Sequence, residues 1–430
     1  MKYFSLRLLF LFGIALSFAA CDDDDNDFTP PTTDNDFVGA VYTMTNAAGS
    51  NEILIYGRQA DGELSAEGTI SAGGTGSGAR TDLPIGRDPL TSQDAIVLSP
   101  NEDFLYAVNA GSNTVAAFRV DDNDPTDLSF IGTYPTGGTF PVSIAIDPDG
   151  DYLYVLNTGG AGTDNLPGIQ DDGTTGGIQG FEINDNGSLT TLAGSNRPLS
   201  GNASVKGTID FSPDGDILVA IEFGPVSNIV SYVIDDGVAG EPNVFNTEEG
   251  IYAAAGDDPF GGEFDDDGFF HTANVELTAP PMPAPAVGGA TNSTYRFDDD
   301  GQLEIIEGAI ENGGIAACWF EISPNGEYAY SVNTDARTIT NYRLDDGELT
   351  RIGETNVGPT ASPVGTSAAI DALDMTVVDG YAYTIIPIQN SIQVWRVTDN
   401  GTLSLMAGFD GIDNVAITAQ GIAATGDDGP

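Results

Sequence analysis

Three residues ahead of recurrent apolar strands could do acid–base chemistry. Lys206, in the stretch "SVKGTID", is the only lysine besides Lys2. Its ammonium group could hold an anionic or carbonyl group, or it could be an ordinary solvated charge. Glu263 and Asp374 occupy comparable positions, and a carboxylate whose pKa is raised by surrounding negative charge can act as a general base. These three residues are the catalytic candidates that the sequence offers.

Other familiar catalytic and metal motifs are absent from the sequence. It has no Gly-x-Ser-x-Gly elbow, HExxH motif or phosphate-binding loop. His271 is the only histidine and aligns with the repeated Tyr106, Tyr154 and Tyr330, which predicts a structural role. Cys318, in "IAACWF", is expected to pack as a small hydrophobe rather than to act as a nucleophile. Acidic runs such as "FDDDG" lack the spacing of a calcium loop, so neither a metal nor a cofactor is expected.

A short hairpin motif recurs along the chain and indicates the elements that position these residues. It reads "SPNEDFLYAVN", "DPDGDYLYVLN", "SPDGDILVAIE" and "SPNGEYAYSVN". Proline presets the second position of a type I turn and glycine tolerates the left-handed exit, so the motif joins two strands tightly. A second motif follows about twenty residues later, as in "ITNYRLDDGEL", and predicts a third strand turning into a fourth.

The repeats predict an all-β fold, a seven-bladed β-propeller of four-stranded antiparallel blades over residues 38–426. The stretch "NEILIYGRQADGEL" supplies the third strand of the first blade, which lacks an innermost strand of its own. The C-terminal "AQGIAAT", Ala419–Thr425, matches the innermost strands elsewhere. We therefore expect it to close the ring within blade one and so remove exposed sheet edges.

These blades resemble a known family. The stretches "DDPFGGEF", "AACWFEISPNGEYAYSVNTDARTITNYRLDDGEL" and "ALDMTVVDGYAYTII" are similar to secreted members of the lactonase-like seven-bladed propellers. That family includes 6-phosphogluconolactonases and 3-carboxymuconate cyclases, so the resemblance implies lactone hydrolysis or a related cyclase reaction. It also implies histidine and arginine around the channel mouth. Here "SQDAIVL", "FPVSIAI" and "SVKGTID" carry no Arg-His pair.

Loop lengths distinguish the two faces of the predicted propeller. The turns between strands one and two and between strands three and four are short and share one face. The variable loops share the other face: Gly73–Ser92, Thr158–Gly177, Gly237–Asp258, Glu276–Asn292 and Asn356–Ser367. Such loops either carry binding residues or simply tolerate changes of sequence and length that have no function. The residues expected at the channel mouth on this face are Gln93, Asp94, Pro141, Lys206, Phe260, Glu263, Cys318, Asp374 and Gln420. The ligand-binding candidates among them are Gln93, Asp94, Lys206, Glu263, Asp374 and Gln420.

The N-terminal residues read as an export signal. Lys2 and Arg7 precede an apolar run that is too short for a spanning helix, which predicts a signal peptide over residues 1–20. The junction "SFAACDDDD" resembles a bacterial lipoprotein signal with Cys21 as the lipidated residue, although plain secretion is the alternative. Residues 21–37 then form an acidic tether. The predicted location is the outer membrane or cell surface, with membrane contact only through the lipid.

The charge balance excludes some partners. Lysine and arginine number 13 against 65 acidic residues, a formal net charge of −52. Nucleic acid is therefore excluded as a partner, and the acidity is typical of proteins from salt-rich habitats. We expect a monomer that binds a small molecule or a surface protein through its loop-rich face. A lactone hydrolase or cyclase is the alternative, and a purely structural surface protein is the second alternative.

Overall fold

The structure is a computed structural model of the chain. The residues that it describes are 37–78, 88–159, 176–201, 205–223, 226–247, 252, 255–276, 289–357, 372–386, 389–406, 411–413, 415–416 and 418–426. The predicted signal peptide, Cys21 and nearly all of the tether lie outside them. Among the described residues, no helix is long and apolar enough to span a bilayer.

The strands form seven antiparallel sheets, one for each predicted blade. Blade one begins the chain with β1 (Gly39–Met44), β2 (Glu52–Arg58) and β3 (Leu64–Ser71). Blade two contains β4 (Ile96–Leu98), β5 (Phe104–Asn109), β6 (Thr114–Asp121) and β7 (Asp124–Pro135). Blade three contains β8 (Pro141–Ile146), β9 (Tyr152–Asn157), β10 (Gly177–Ile183) and β11 (Leu189–Thr191).

Blades four and seven have outer strands that are split into two pieces. Blade four contains β12 (Val205–Phe211), β13 (Ile217–Phe223), β14 (Asn228–Asp235), β15 (Val238–Ala239) and β16 (Asn243–Asn246).

Blade five contains β17 (Pro259–Phe264), β18 (Phe269–Asn274), β19 (Thr291–Phe297) and β20 (Leu303–Glu311). Blade six contains β21 (Ala317–Ile322), β22 (Tyr328–Asn333), β23 (Thr338–Asp345) and β24 (Glu348–Asn356). Blade seven contains β25 (Met375–Val378), β26 (Tyr381–Ile386), β27 (Ser391–Val397), β28 (Leu403–Leu405) and β29 (Gly411–Asp413), and β30 (Gln420–Ala424) returns to blade one.

The recurrent hairpin joins strands one and two of a blade, as predicted. In blade six the turn from β21 to β22 is held by Ser323, whose Oγ accepts a hydrogen bond from Tyr328 N at 3.0 Å. Gly326 N donates to Ser323 O at 2.8 Å, and Gly326 has a φ of 68°. Serine, proline and glycine therefore recur because the same tight turn recurs.

The two repeated sequence motifs contact each other across the blades. Tyr330 of blade six donates its hydroxyl to Gly401 O, in the strand-three-to-four turn of blade seven, at 3.0 Å. Tyr106 and Tyr154 make the same contact to Gly187 O and Gly237 O at 3.1 and 2.8 Å. These tyrosines are fully buried, so each phenol adds apolar packing and satisfies its own hydroxyl.

Strand β30 closes the ring by pairing with β1, as the sequence predicts. Thr425 N donates to Ala40 O at 2.9 Å, and Ala40 N donates to Thr425 Oγ1 at 2.8 Å. Blade one therefore combines a C-terminal innermost strand with N-terminal outer strands. The predicted fold class is confirmed.

Candidate functional site in the central channel

Seven equivalent positions, one from each blade, face the central channel. Each lies on the innermost strand of its blade, and its cross-strand partner on strand two is a tyrosine in five of the seven blades. From blade one to blade seven the residues are Ala423, Val97, Ala145, Asp210, Glu263, Glu321 and Thr376, and all of them line one cavity. The acidic side chains come from three consecutive blades, so one side of the channel is acidic, and the other side is apolar except for Thr376.

The acidic side chains of this ring each satisfy a backbone group of the next blade. Phe264 N donates to Asp210 Oδ2 at 2.8 Å, and Ile322 N donates to Glu263 Oε2 at 2.7 Å. Val377 N donates to Glu321 Oε1 at 3.1 Å. An innermost strand is a sheet edge whose outward N–H groups need partners. Each carboxyl group therefore links two blades through one oxygen.

Two further carboxyl groups, those of Asp94 and Asp374, belong to the same electrostatic cluster. Thr208 donates its hydroxyl to Asp94 Oδ2 at 3.2 Å. Asp374 lies just before β25, is 4% exposed and accepts from Met375 N at 3.1 Å. The negative charge of Asp94 acts on Asp210, Glu263, Glu321 and Asp374. We call these five residues the channel carboxyl cluster.

Burial raises the pKa of every carboxyl group in this cluster. It raises the pKa of Asp94 to about 7. Burial, reinforced by the neighbouring Asp94 carboxylate, raises the pKa of Asp210 to about 8. The pKa of Glu263 is raised well above its usual value by burial and then by Glu321, Asp210 and Asp94. Burial and then the charge of Asp94 raise the pKa of Glu321. Burial and then Asp94, Glu321 and Asp88 raise the pKa of Asp374. The channel therefore offers both ionised and protonated carboxyl groups at one pH.

The cavity has a volume of about 510 Å³ and reaches the face that carries the strand-one-to-two turns. This volume is in the range of small-molecule sites. Its mouth is lined by the exposed turn residues Pro100, Pro148, Pro213 and Pro324. Gln93 and Asp94 line its deep end. No lysine or arginine occurs among the described residues of its wall.

Several predicted site residues come together here. Gln93, Asp94 and Glu263 line the cavity, and Asp374 joins the carboxyl cluster. Gln420 is 3% exposed and donates to Ala419 O at 2.8 Å, away from the cavity wall. Three of the five predicted binding loops lie mostly outside the described residues: Thr158–Gly177, Glu276–Asn292 and Asn356–Ser367. The predicted loop Gly237–Asp258 instead contains β15 and β16, the split outer strand of blade four. Binding by the loop-rich rim stays a prediction.

Lys206 requires a correction. It was expected at the channel mouth among carboxylates, but its side chain is fully buried within blade four and is not part of the cavity wall. Its Nζ lies 2.9 Å from Glu222 Oε1, and the Glu222 side chain is also fully buried. Lys206 is therefore neither a solvated charge nor placed to contact a ligand in the channel.

Asp210 and Glu321 are the functional candidates that sequence reasoning missed. Each lies two residues before the turn residue Ser212 or Ser323, as Glu263 lies two before Asp265. Aligning the repeats on the turn would have placed all three carboxyl groups on one level of the channel. The stretches "DFSPDG", "EFDDDG" and "EISPNG" contain that signal.

His271 and Cys318 are both enclosed. His271 is fully buried, with Nε2 3.0 Å from Asp265 Oδ2 and Nδ1 2.9 Å from Thr294 Oγ1. Its ring stacks on Phe320 at a centroid distance of 5.6 Å. Burial raises the pKa of the Cys318 thiol, which makes it a poor nucleophile. Both residues have the packing roles that the sequence predicts.

Comparison with known proteins supports the family resemblance. The sequence profile of the family described as "Lactonase, 7-bladed beta-propeller" matches residues 40–161. A curated 6-phosphogluconolactonase from Formosa agariphila is 40% identical over 73 residues, which are 16% of this chain and 20% of that protein. The predicted resemblance to lactonase-like seven-bladed propellers is confirmed.

Solved structures share the fold over almost the whole chain. A putative 6-phosphogluconolactonase from Bacteroides fragilis has a TM-score of 0.59 at 18% identity, covering 92% of this chain and 99% of that one. A periplasmic gluconolactonase from Pseudomonas aeruginosa has a TM-score of 0.57 at 14% identity, covering 90% of this chain and 98% of that one. At these identities the likeness shows the fold.

Proposed function

We infer that this protein hydrolyses uncharged sugar lactones inside its central channel. The observation that carries the proposal is the channel carboxyl cluster, four of whose carboxyl groups line one cavity. Burial raises the pKa of all five groups, and the charge of neighbouring carboxylates adds to that shift in every member except Asp94. Residues with perturbed pKa values in a cavity are candidates for acid–base catalysis. The names of the similar proteins support hydrolysis more than binding without turnover.

The reaction needs a base for water and a donor for the oxyanion. The Asp94 carboxylate takes a proton from water as the water oxygen attacks the lactone carbonyl carbon. Protonated Glu263 donates a hydrogen bond to the oxyanion that forms. When the intermediate collapses, the bond from the carbonyl carbon to the ring oxygen breaks. Asp94 returns its proton to that oxygen, giving an open-chain hydroxy acid.

The charge of the channel argues for an uncharged substrate. A phosphorylated lactone would bring a dianion into a cavity whose described wall has carboxyl groups and no lysine or arginine. A neutral lactone meets no such repulsion. The product ionises to a carboxylate at neutral pH, and its repulsion by the cluster assists release.

Turnover by purified protein tests the proposal. With glucono-δ-lactone we expect acid release above the uncatalysed rate, and slower release with the 6-phosphorylated lactone. Asp94→Asn should lower kcat by about 10²–10⁴-fold, because general base catalysis contributes that much. Asp149→Asn makes the same change on an exposed turn and should leave kcat unchanged.

The pH profile supplies a second readout. The rate should rise with pH through about 7, as Asp94 loses its proton, and fall again at higher pH when Glu263 loses its own. No turnover of either lactone would contradict hydrolysis. Calorimetric binding of glucono-δ-lactone without turnover would support the second candidate, a binding protein for hydroxylated rings. The channel favours that candidate through its acidic side and its opposite apolar side.

The proposed place of action is the cell envelope, through a lipid on Cys21. Sequence alone supports this proposal, since the junction "SFAACDDDD" has the small residues that precede a lipidated cysteine. Cys21→Ala should move the protein to the soluble fraction and abolish incorporation of radiolabelled palmitate. Cys318→Ala changes the other cysteine and should leave labelling intact. A wild-type protein that takes up no palmitate would contradict the proposal.

A further inference from the structure

The segment Ser92–Asp94 crosses the channel near the loop-rich face. Ser92 Oγ donates to Val142 O of blade three at 2.7 Å, and Gln93 N donates to Gly207 O of blade four at 3.0 Å. Trp319 Nε1 of blade six donates to Ser92 O at 3.0 Å. A segment that precedes blade two is therefore tied to blades three, four and six.

The Gln93 side chain fills the middle of this crossing. Its Nε2 donates to Phe320 O at 2.9 Å, and its Oε1 accepts from Phe320 N at 3.1 Å, so the amide pairs with the edge of β21 as another strand would. Gln93 is 2% exposed. A Cβ on Gly261 of blade five would lie 2.3 Å from Gln93 Oε1, so glycine leaves room for the amide there.

The opposite end of the channel is framed by short turns. Its prolines belong to the strand-one-to-two turns of blades two, three, four and six: Pro100, Pro148, Pro213 and Pro324. All four are exposed. The cavity therefore runs from these turns inward to Gln93.

We propose that small molecules reach the channel carboxyl cluster through the proline-framed mouth on the turn face, while Gln93 closes the end toward the loop-rich face. This inference rests on the proposed function in that it names the route to the same site. It reverses the sequence-based expectation that ligands are met on the loop-rich face. The acidic side of the channel favours uncharged or cationic molecules over anions.

Thiol accessibility tests the route without requiring turnover. Ala145, which lines the cavity at 4% exposure, is replaced by cysteine in a Cys21→Ala/Cys318→Ala background. We expect a small methanethiosulfonate reagent to label Ala145→Cys. The trimethylammonium form should react about tenfold or more faster than the sulfonate form, because a charged cleft changes on-rates by that much. Ala423→Cys, on the same level of the channel, serves as a second reporter.

Blocking each end separately identifies the route. Pro148→Trp with Pro324→Trp should abolish labelling on the time scale that fully labels the parent. Asp185→Trp adds the same bulk to an exposed turn away from the mouth and should not slow labelling. Adding Gln93→Ala to the blocked variant should restore labelling. Gln179→Ala removes another buried glutamine, away from the cavity, and should not restore it.

Two results would overturn the proposal. Unchanged labelling in a folded, tryptophan-blocked variant would show that molecules enter elsewhere. Faster labelling by the anionic reagent would contradict the charge selection. If Gln93→Ala does not fold, the tryptophan variants alone still decide the route. If labelling follows the expected pattern but no lactone is turned over, the proposed hydrolysis is refuted and the proposed route is still supported.

Discussion

Lys206 and Glu222 form an ion pair inside blade four. Their side chains are fully buried, and Nζ lies 2.9 Å from Oε1. Asn228 donates its side-chain amide to Glu222 Oε2 at 2.8 Å, so both carboxylate oxygens have partners. Burial lowers the pKa of Lys206, and the Glu222 carboxylate opposes that shift. Each of these buried charges is therefore stabilised by the presence of the other.

Removing one charge of this pair should be costly. Lys206→Ala leaves the Glu222 carboxylate buried without its ammonium partner, and breaking a buried pair costs about 3–5 kcal/mol. Urea unfolding followed by tryptophan fluorescence measures the loss. Lys206→Met with Glu222→Gln removes both charges while keeping an acceptor for Asn228, and should recover most of the stability. A loss below about 1 kcal/mol in Lys206→Ala, the range of exposed pairs, would contradict this account.

The direction of the Lys206 side chain could not be predicted from the sequence. Lys206 is rare in type, but a rare residue type gives no information about which face of a strand its side chain occupies. The pairing of β12 with β13 has a register shift between Lys206 and Ile209. Such a bulge breaks the alternation of faces, so counting back from the Ser212 turn assigns the wrong side. Glu263 could be predicted because it lies on the turn side of the shift in its own strand.

At the scale of elements, Arg58 joins the two ends of the ring. It lies at the end of β2, is 1% exposed and pairs with Asp379 in the β25–β26 turn of blade seven. Its Nη2 also donates to Thr425 O, just after β30, at 3.1 Å. One guanidinium group therefore links the first blade, the last blade and the closing strand.

Loss of this group should weaken ring closure. Arg58→Ala is expected to cost about 2–3 kcal/mol, less than a fully buried pair because Asp379 is 19% exposed. Urea unfolding gives the magnitude, and faster proteolysis near residue 418 locates it. Arg119→Ala removes an exposed arginine that lies 4.8 Å over the Phe104 ring, and should cost no more than about 1 kcal/mol. Equal losses in the two variants would argue against a closing role for Arg58.

The elements were the most predictable level of this protein. The strand-one-to-two hairpin and the strand-three-to-four turn recur together because they contact each other. The tyrosine of one blade, such as Tyr330, donates a hydrogen bond to the turn glycine of the next blade, such as Gly401. A contact that repeats in space leaves a repeat in sequence. The split outer strands of blades four and seven left no comparable repeat in the sequence.

For the whole molecule, net charge is the dominant electrostatic quantity. The formal value is −52, from 13 basic and 65 acidic residues. We expect the melting temperature to rise by several degrees between dilute buffer and about 1 M NaCl, where the Debye length falls to roughly 3 Å and self-repulsion is screened. Differential scanning calorimetry measures it. Neutralising exposed turn residues, as in Asp299→Asn with Asp346→Asn, should reduce the salt dependence. A melting temperature that is flat or falls with salt would contradict the prediction.

The mouth that we propose for the channel could not be predicted from the sequence. Loop length favoured the opposite face, where binding residues commonly lie on a rigid scaffold. The closure at Gln93 depends on contacts between the segment Ser92–Asp94 and blades three to six. These contacts join residues that are far apart in sequence, so no local sequence pattern predicts them. The propeller itself was predictable because its repeats are local.

The pairing of β30 with β1 also sets the order in which the protein can be completed. The two partners lie at opposite ends of the propeller sequence. As the chain leaves the ribosome or crosses a membrane, blades two to seven can fold in turn, while β1 waits with an unpaired edge. Blade one forms only after Gln420–Ala424 has emerged. A circular permutant that begins near residue 418 and joins residue 426 to residue 37 would instead make blade one first, and would shorten the time for which that edge is open to aggregation.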